Sequence, residues 1–322
     1  MLNERAFAAI TLGSLLALAA CAGPAAPSAS PQAPLALVPA ASSGYTFKTV
    51  DDPADPTFNE VLGINDRATL TGFYGSGSKI DPSAGYIVVP PYGQNNFRKE
   101  SYPSAVDTEL SGLNDKRTFV GFYRDSQNDI LGTVLVGGIW TNYKHAGGMP
   151  KRKSVTELLG VNSSDVAVGF YTDSTGVNEP FTLDIVTDQY KPLSPPGGDN
   201  AVATSIAGRG DIVGYLQKSG HSVGFLLHLG TYTEFSYPGA TDTKFLGVTV
   251  YDQIVGSYVG SSGGTHGFLL TNPLRKSIAW QRIDEPNAVG TTVITGINQT
   301  GDIAGYYVDS AGNTNGFFAS KK

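Results

Sequence analysis

Cysteine is almost absent from this 322-residue chain, with Cys21 the single copy. That excludes an internal disulfide and any cysteine-based zinc cluster. Charge is sparse too. Charged residues make up 16%, and 22 Lys+Arg against 28 Asp+Glu leave a formal net charge of −6. A chain with so little positive charge lacks the basic footprint that phosphate backbones demand, so nucleic acid is excluded as a partner. No apolar run reaches the length a mature membrane-spanning helix needs. The chain has no Gly-x-Ser-x-Gly elbow and no phosphate-cradling Gly-Lys loop. Four histidines, His145, His221, His228 and His266, show no metal-ligand spacing. The expectation is therefore no metal, no cofactor and no catalytic residue that the sequence marks out.

What the chain has in excess is glycine (40), proline (19) and, together, 31 Tyr and Phe. Helices tolerate neither so much glycine nor so much proline, so the composition points to short strands and tight turns.

Cys21 falls where it has one obvious use. "MLNERAFAAITLGSLLALAACAG" has a short polar start, an apolar stretch from Ala6 to Ala20 and small residues at its end. That is the anatomy of an export signal. Its end, Leu18-Ala19-Ala20-Cys21, resembles the bacterial lipobox, which implies cleavage before Cys21 and lipidation of its sulfur. An ordinary signal peptide cut at a nearby Ala-x-Ala site is the alternative. Acyl chains contribute about 0.8 kcal/mol per buried CH₂, so several of them hold a protein on a membrane almost permanently. Ala22 follows the cysteine in place of the aspartate that retains many lipoproteins at the inner membrane, so the resemblance implies the outer membrane. Residues 21–43, rich in Pro, Ala and Ser without periodic hydrophobics, read as a semi-extended tether.

Beyond the tether one unit recurs. "GINDRATLTGFY" begins at Gly63, "GLNDKRTFVGFY" at Gly112 and "GVNSSDVAVGFY" at Gly160. "SIAGRGDIVGYL" follows at Ser205, "GVTVYDQIVGSY" at Gly247 and "GINQTGDIAGYY" at Gly296. A second glycine stands nine positions on in each: Gly72, Gly121, Gly169, Gly214, Gly256 and Gly305. Each copy reads as four short antiparallel strands. An alternating run such as "TVITGIN" turns into "DIAGYYV", and a "GFLL" strand and a polar-apolar strand such as "TYTEFSY" follow. "DSTG" (Asp173 to Gly176) and "DSAG" (Asp309 to Gly312) place Asp first and Gly fourth, as a type I turn requires.

Four strands in 42 to 49 residues is the size of a propeller blade rather than of a solenoid coil. The sixth copy stops after its third strand, "GFFAS", while "YTFKTVDDP" (Tyr45 to Pro53) precedes the first copy and matches a fourth strand. Pairing these two closes a ring and removes two open sheet edges. The expected fold is an all-β, six-bladed β-propeller over residues 44–322, closed by its N-terminal strand, with an open stack of six sheets as the alternative. The motif "GIN..G.I.G.Y.D..G....GF" with its following "YPGA" resembles the repeats of the HAF family of exported bacterial proteins. Pro180 and Ala207 depart from that pattern. The resemblance implies an exported repeat protein and no established activity.

Function is looked for in what does not repeat. The blade connections carry Asp51, Asp52, Asp55, Asp107, Asp199, Asp242, Asp284 and Glu285. Asp52, Asp55, Asp107, Asp199, Asp242 and Asp284 form the candidate ligand face, a ring of acids able to hold a cation or hydrogen-bond a sugar. Solubilising loop charge is the plainer role. The repeated Asn65, Asn114, Asn162 and Asn298 read as caps of the following turn. Tyr92, Tyr102 and Tyr237 are the aromatics a shallow binding face would expose. "KRK" at Lys151 to Lys153 reads as a solvated loop, and a sialidase's arginine triad and Ser-x-Asp-x-Gly-x-x-Trp boxes are missing. The reading is a monomeric, lipid-anchored, non-catalytic module of the cell envelope that binds a protein or glycan. A carbohydrate-active hydrolase or lyase and a structural spacer are the alternatives.

Overall fold

The computed structural model describes residues 44–148, 154–197 and 199–322. The expected signal segment, Cys21, the tether and Lys151 to Lys153 lie outside them. Six four-stranded antiparallel sheets follow one another along the chain. Blade 1 holds Asn59–Ile64, Leu70–Tyr74, Ala84–Val88 and Phe97–Glu100. Blade 2 holds Asp107–Leu113, Phe119–Arg124, Ile130–Val136 and Ile139–Tyr143. Blade 3 holds Thr156–Val161, Val166–Thr172, Asn178–Asp184 and Gln189–Pro192. Blade 4 holds Asp199–Ile206, Ile212–Lys218, His221–His228 and Thr231–Phe235. Blade 5 holds Asp242–Val248, Ile254–Val259, Thr265–Thr271 and Ala279–Ile283.

Blade 6 takes Thr292–Ile297, Ile303–Val308 and Thr314–Lys321 from the end of the chain and Tyr45–Thr49 from its start. Tyr45 lies opposite Lys321 and Thr49 opposite Phe317. The ring is closed by the N-terminal strand, as the orphan fourth-strand pattern predicts.

The glycine cadence has a steric cause. A Cβ on the second-strand glycines, from Gly72 to Gly305, would stand 1.8–2.0 Å from a first-strand carbonyl oxygen in every blade. No side chain fits there. Ahead of each first-strand glycine the register slips, as between Leu110 and Gly112, so every inner strand carries a bulge. These inner glycines let neighbouring blades meet. A Cβ on Gly112 would lie 2.8 Å from the Leu159 oxygen of blade 3, and one on Gly160 2.8 Å from the Thr204 oxygen of blade 4.

Third-strand glycines face the next blade in the same way: Gly85 meets Leu110, and Gly224 meets the ring of Phe245. Pro180 replaces that glycine in blade 3, paired opposite Phe170. The residue that its register sets against it in blade 4 is Ala203, where the other blades have Val61, Leu110, Leu158, Phe245 or Ile294. A small residue opposite makes room for the larger one, which explains the departure from the repeat.

Blade faces pack through buried aromatics, with Phe73, Tyr86, Phe181, Phe225, Phe268 and Phe317 essentially inaccessible to solvent. At about 25 cal/mol per Å² of apolar surface, each such ring contributes a few kcal/mol.

Candidate functional site on the propeller axis

The inner strands all run the same way along the axis. Their C-terminal ends, with the first-to-second and third-to-fourth hairpins, make one face, called here the hairpin face. The blade connections and second-to-third hairpins make the other, the connection face. Gly44 stands on the hairpin face, its carbonyl accepting from the Lys322 N–H.

Asparagine organises the hairpin face. Asn65 Oδ1 accepts from the N–H groups of Arg67 and Thr69, a turn cap repeated at Asn114, Asn162 and Asn298. The expected capping role holds. The same side chains also tie blades together: Asn65 Nδ2 donates to Asn114 O, Asn114 to Asn162 O, and Asn162 to Ala207 O. Asn298 closes the circuit by donating to Asn65 O. The circuit is interrupted only at blades 4 and 5, where Ala207 and Thr249 replace asparagine.

Within this ring an axial well of about 220 Å³ opens, lined by Leu62, Leu159 and Leu246 in depth and by the four asparagines, Asp66, Asp115 and Gln299 at the mouth. Ser111, Thr204 and Thr295 alternate with the three leucines and donate to Leu158 O, Phe245 O and Val61 O of the following blade. Asp66 is pushed above the usual carboxylate range by burial, and the neighbouring Asp115 adds to the shift. On the same face Val136, Ile139, Val186, Leu229 and Leu274 are exposed at the outer, third-to-fourth hairpins and Tyr251 at a first-to-second hairpin, Ile139, Val186 and Leu229 by 72%, 78% and 89%.

Behind the well lies a layer that sequence reasoning missed. Glu60, Glu109 and Glu157 occupy the same inner-strand position, opposite Phe73, Phe122 and Phe170. Val202, Lys244 and Val293 hold that position in the other blades, opposite Tyr215, Ser257 and Tyr306. Burial pushes Glu60 and Glu157 up to about 8. Glu109 is raised well above the ordinary carboxylate range, by burial first and by its two sister carboxyls in addition. Lys244, its Nζ 4.9 Å from the Tyr215 ring centre, is pushed down to about 8 by burial. Oε2 of Glu60 and of Glu109 have no hydrogen-bond partner among the described residues. At neutral pH these are protonated carboxyls in an apolar surround, donors in waiting rather than a charged site. The signal was in the sequence: "NEVLG", "TELSG" and "TELLG" repeat a glutamate three residues before the inner glycine.

The acids of the expected ligand face are found in the connections, and Asp52, Asp55, Asp107, Asp242 and Asp284 are engaged with the scaffold. Asp52 Oδ1 accepts from Ala54 N, Asp55 from Thr57 N, and Asp51 from Gly316 N. Burial raises Asp52, and it raises Asp51 to about 6. Asp107 accepts from Ser83 N and pairs with Arg124. Asp242 accepts from Ser222 N. Asp284 pairs with Arg282 at 2.6 Å and with His266 at 3.2 Å. Glu285 accepts from Asn287 N. Asp199 starts the first strand of blade 4, opposite Gln217. Asp107 and Asp242 share one job, each fastening its own blade to the third-strand start of the blade before it, whereas Asp51 extends the pairing of the fourth and third strands of blade 6.

The tyrosines expected on a shallow binding face are not exposed. Tyr102 stacks on Tyr123 and Tyr237 on Tyr258, both at 3.7 Å and 4°. Tyr92 is 8% exposed, lies against Phe318 and donates its hydroxyl to Ala68 O. Tyr92 belongs to the third-to-fourth hairpin of blade 1, whereas Tyr102 and Tyr237 lie in blade connections and stack on the blade that follows. His145 has the same position in blade 3, stacked on Tyr171 at 3.8 Å, and burial lowers its pKa. No described helix is long and apolar enough to cross a membrane.

This is the geometry in which comparison with known proteins is informative. No family model and no curated protein sequence matches the chain. Solved structures do. AofleA from Arthrobotrys oligospora is 12% identical over 86% of this chain and 88% of that one, with a TM-score of 0.53. The Aleuria aurantia lectin in complex with Fucα1-6GlcNAc is 10% identical over 81% and 93%, at 0.52. The chain is a six-bladed β-propeller. Trypanosoma rangeli sialidase in complex with 2,3-difluorosialic acid is similar at 0.51 and 10% identity, over 88% of this propeller and 58% of that chain. At such identities the likeness is one of fold.

Proposed function

We propose that this propeller is a lipid-anchored, non-catalytic binding module of the bacterial cell envelope, of the exported HAF repeat type, and that its contact surface is the hairpin face. One observation carries the choice of face. Six large apolar side chains, Val136, Ile139, Val186, Leu229, Tyr251 and Leu274, are exposed at the hairpins of blades 2 to 5, on the face where the axial well opens. The connection face exposes Ile80, Val106 and Val289, and Asp52, Asp55, Asp107, Asp242, Asp284 and Glu285 on it are already hydrogen-bonded. Exposed apolar tips on a face with a polar centre suit a protein or glycan partner better than bulk water.

The same fold holds Fucα1-6GlcNAc in the Aleuria aurantia lectin, which supports a glycan as one kind of ligand. Binding rather than hydrolysis is favoured because the three carboxyls that converge, Glu60, Glu109 and Glu157, do not line the well. They are kept protonated by burial. Glycoside hydrolysis needs one ionised partner facing the sugar.

The purified protein is tested on a glycan array and in capture from envelope extract, beside an Ile139→Ser/Val186→Ser/Leu229→Ser variant. A ligand retained by the parent and lost by the variant supports the reading. A ligand lost instead on Asp52→Ala/Asp55→Ala, with the tips unimportant, moves the site to the connection face. Hydrolysis of a screened glycan overturns the non-catalytic assignment. Mass spectrometry of the mature N-terminus, in parent and Cys21→Ser cells, decides the anchor.

A further inference from the structure

The break in the asparagine circuit coincides with a cluster of metal-ligating side chains. Asp211, His228 and Asp252 each offer a ligand atom, all within 4.8 Å of one another. Sequence spacing hid them, since they come from two blades. Asp211 closes the first-to-second hairpin of blade 4, its carbonyl accepting from Ala207 N. His228 ends the third strand of that blade, and its Nδ1 lies 2.7 Å from Asp211 Oδ1. Asp252 belongs to the matching hairpin of blade 5 and sits at φ +58°.

The repeat supplies an internal control. The fourth position of this hairpin is left-handed in every blade: Ala68, Arg117, Asp165, Gly210, Asp252 and Gly301. Asp165 in blade 3 is therefore the counterpart of Asp252. It is met by donors from blade 2: Thr118 Oγ1 at 2.8 Å, Asn114 Nδ2 at 2.9 Å and Lys116 Nζ at 2.8 Å. At the seam of blades 4 and 5 those donors are gone. Asp211 stands where Thr118 stands and Ala207 where Asn114 does. Lys116 corresponds to Arg209, which forms no ion pair with Asp252 among the described residues. An interblade hydrogen bond has become one carboxylate set against another, with an imidazole beside them.

Two carboxylates facing each other repel, and a single imidazolium balances only one of them. A divalent cation neutralises both and takes the imidazole as a third ligand. Ligands about 2.0–2.2 Å from a tetrahedral ion stand roughly 3.3 Å apart, within the spread seen here after a small adjustment. The nitrogen donor selects zinc and its first-row neighbours over Ca²⁺ and Mg²⁺, which want oxygen alone. Three protein ligands leave one position for water. We propose that Asp211, His228 and Asp252 form a zinc-class divalent-metal site that ties blade 4 to blade 5, in place of the missing asparagine link.

The test is titration of the purified, chelator-treated protein with Zn²⁺ alone, followed by Mn²⁺, Ca²⁺ and Mg²⁺, with thermal unfolding recorded for each. The expected result is one equivalent of Zn²⁺ bound at micromolar Kd or tighter, a raised Tm, and at least tenfold weaker Ca²⁺ and Mg²⁺. His228→Gln and Asp252→Asn each weaken Zn²⁺ at least tenfold, while His221→Gln on the other face changes nothing. Asp211→Thr restores the blade 2 to blade 3 chemistry, so it abolishes Zn²⁺ binding and leaves the metal-free protein at least as stable as the parent. If Zn²⁺ fails to bind, or binds unchanged in His228→Gln and Asp211→Thr, the site does not exist. A preference for Ca²⁺ would overturn the metal class.

Discussion

Asn298 donates its side-chain amide to the carbonyl of Asn65 at 3.3 Å, across 233 residues of sequence. With Thr295 Oγ1 donating to Val61 O at 2.8 Å, it fastens the last inner strand to the first. Closure thus depends on the axis as well as on the exchanged strand at the rim. Asn298→Asp keeps the acceptor that caps the turn and removes the donor that links blades. It is expected to cost about 1 kcal/mol in urea unfolding, the net worth of one hydrogen bond. Asn298→Ala loses both and should cost about 2 kcal/mol. Wild-type stability in Asn298→Asp would show that the link contributes nothing.

The second-strand glycines permit a harsher test. A Cβ on Gly121 meets Glu109 O at 2.0 Å and Leu110 Cα at 3.0 Å, both backbone atoms. Gly121→Ala therefore forces apart two strands and should destabilise by about 3 kcal/mol or prevent folding. Gly176→Ala, at a hairpin tip with open space around it but φ +92°, should cost about 1 kcal/mol. Circular dichroism against denaturant separates the two.

Asp107 distinguishes scaffold from ligand chemistry on the connection face. It accepts from Ser83 N and pairs with Arg124. Asp107→Ala leaves a buried N–H without its acceptor and should lower stability by about 2–3 kcal/mol. Wild-type stability in that variant would return the residue to the candidate ligand groups.

The glutamate layer makes stability fall as pH rises. Glu60 titrates near 8 in the fold and near the ordinary 4.5 when unfolded. Its contribution is fully present below about pH 4.5 and is lost as pH rises through 8, because the unfolded chain gives up the proton first. The limiting slope is about 1.4 kcal/mol per pH unit for each such group. Asp51, raised to about 6, acts in the same direction. Asp129, Asp165, Asp173 and Asp309 are lowered by hydrogen bonds to N–H and side-chain donors, so they act oppositely, at more acid pH. Tm should decline between pH 5 and pH 8.5, and Glu60→Gln should flatten that decline.

Much of this architecture is legible in residue order. Gly63 to Gly296 and Gly72 to Gly305 mark inner and second strands, because a repeated steric demand leaves a repeated gap in side-chain size. "DSTG" and "DSAG" are turns as written: Gly176 N donates to Asp173 O and Gly312 N to Asp309 O. Tyr45 to Thr49 declares itself a fourth strand by matching a pattern otherwise left incomplete. Tyr102 and Tyr237 show where such reading fails, since a tyrosine after a strand looks the same whether it faces solvent or stacks on Tyr123 or Tyr258.

The sequence by itself determined the blade, the number of blades and the manner of closure. All three rest on local patterns: strand alternation, turn chemistry and glycine where backbones touch. Only the tertiary structure decided which side chains meet. Glu60, Glu109 and Glu157 come together because equal positions in equal strands converge on one axis. Asp211 and His228 find Asp252 because adjacent hairpins lie side by side. Curvature around an axis is a property of packed sheets, and no window along the chain contains it.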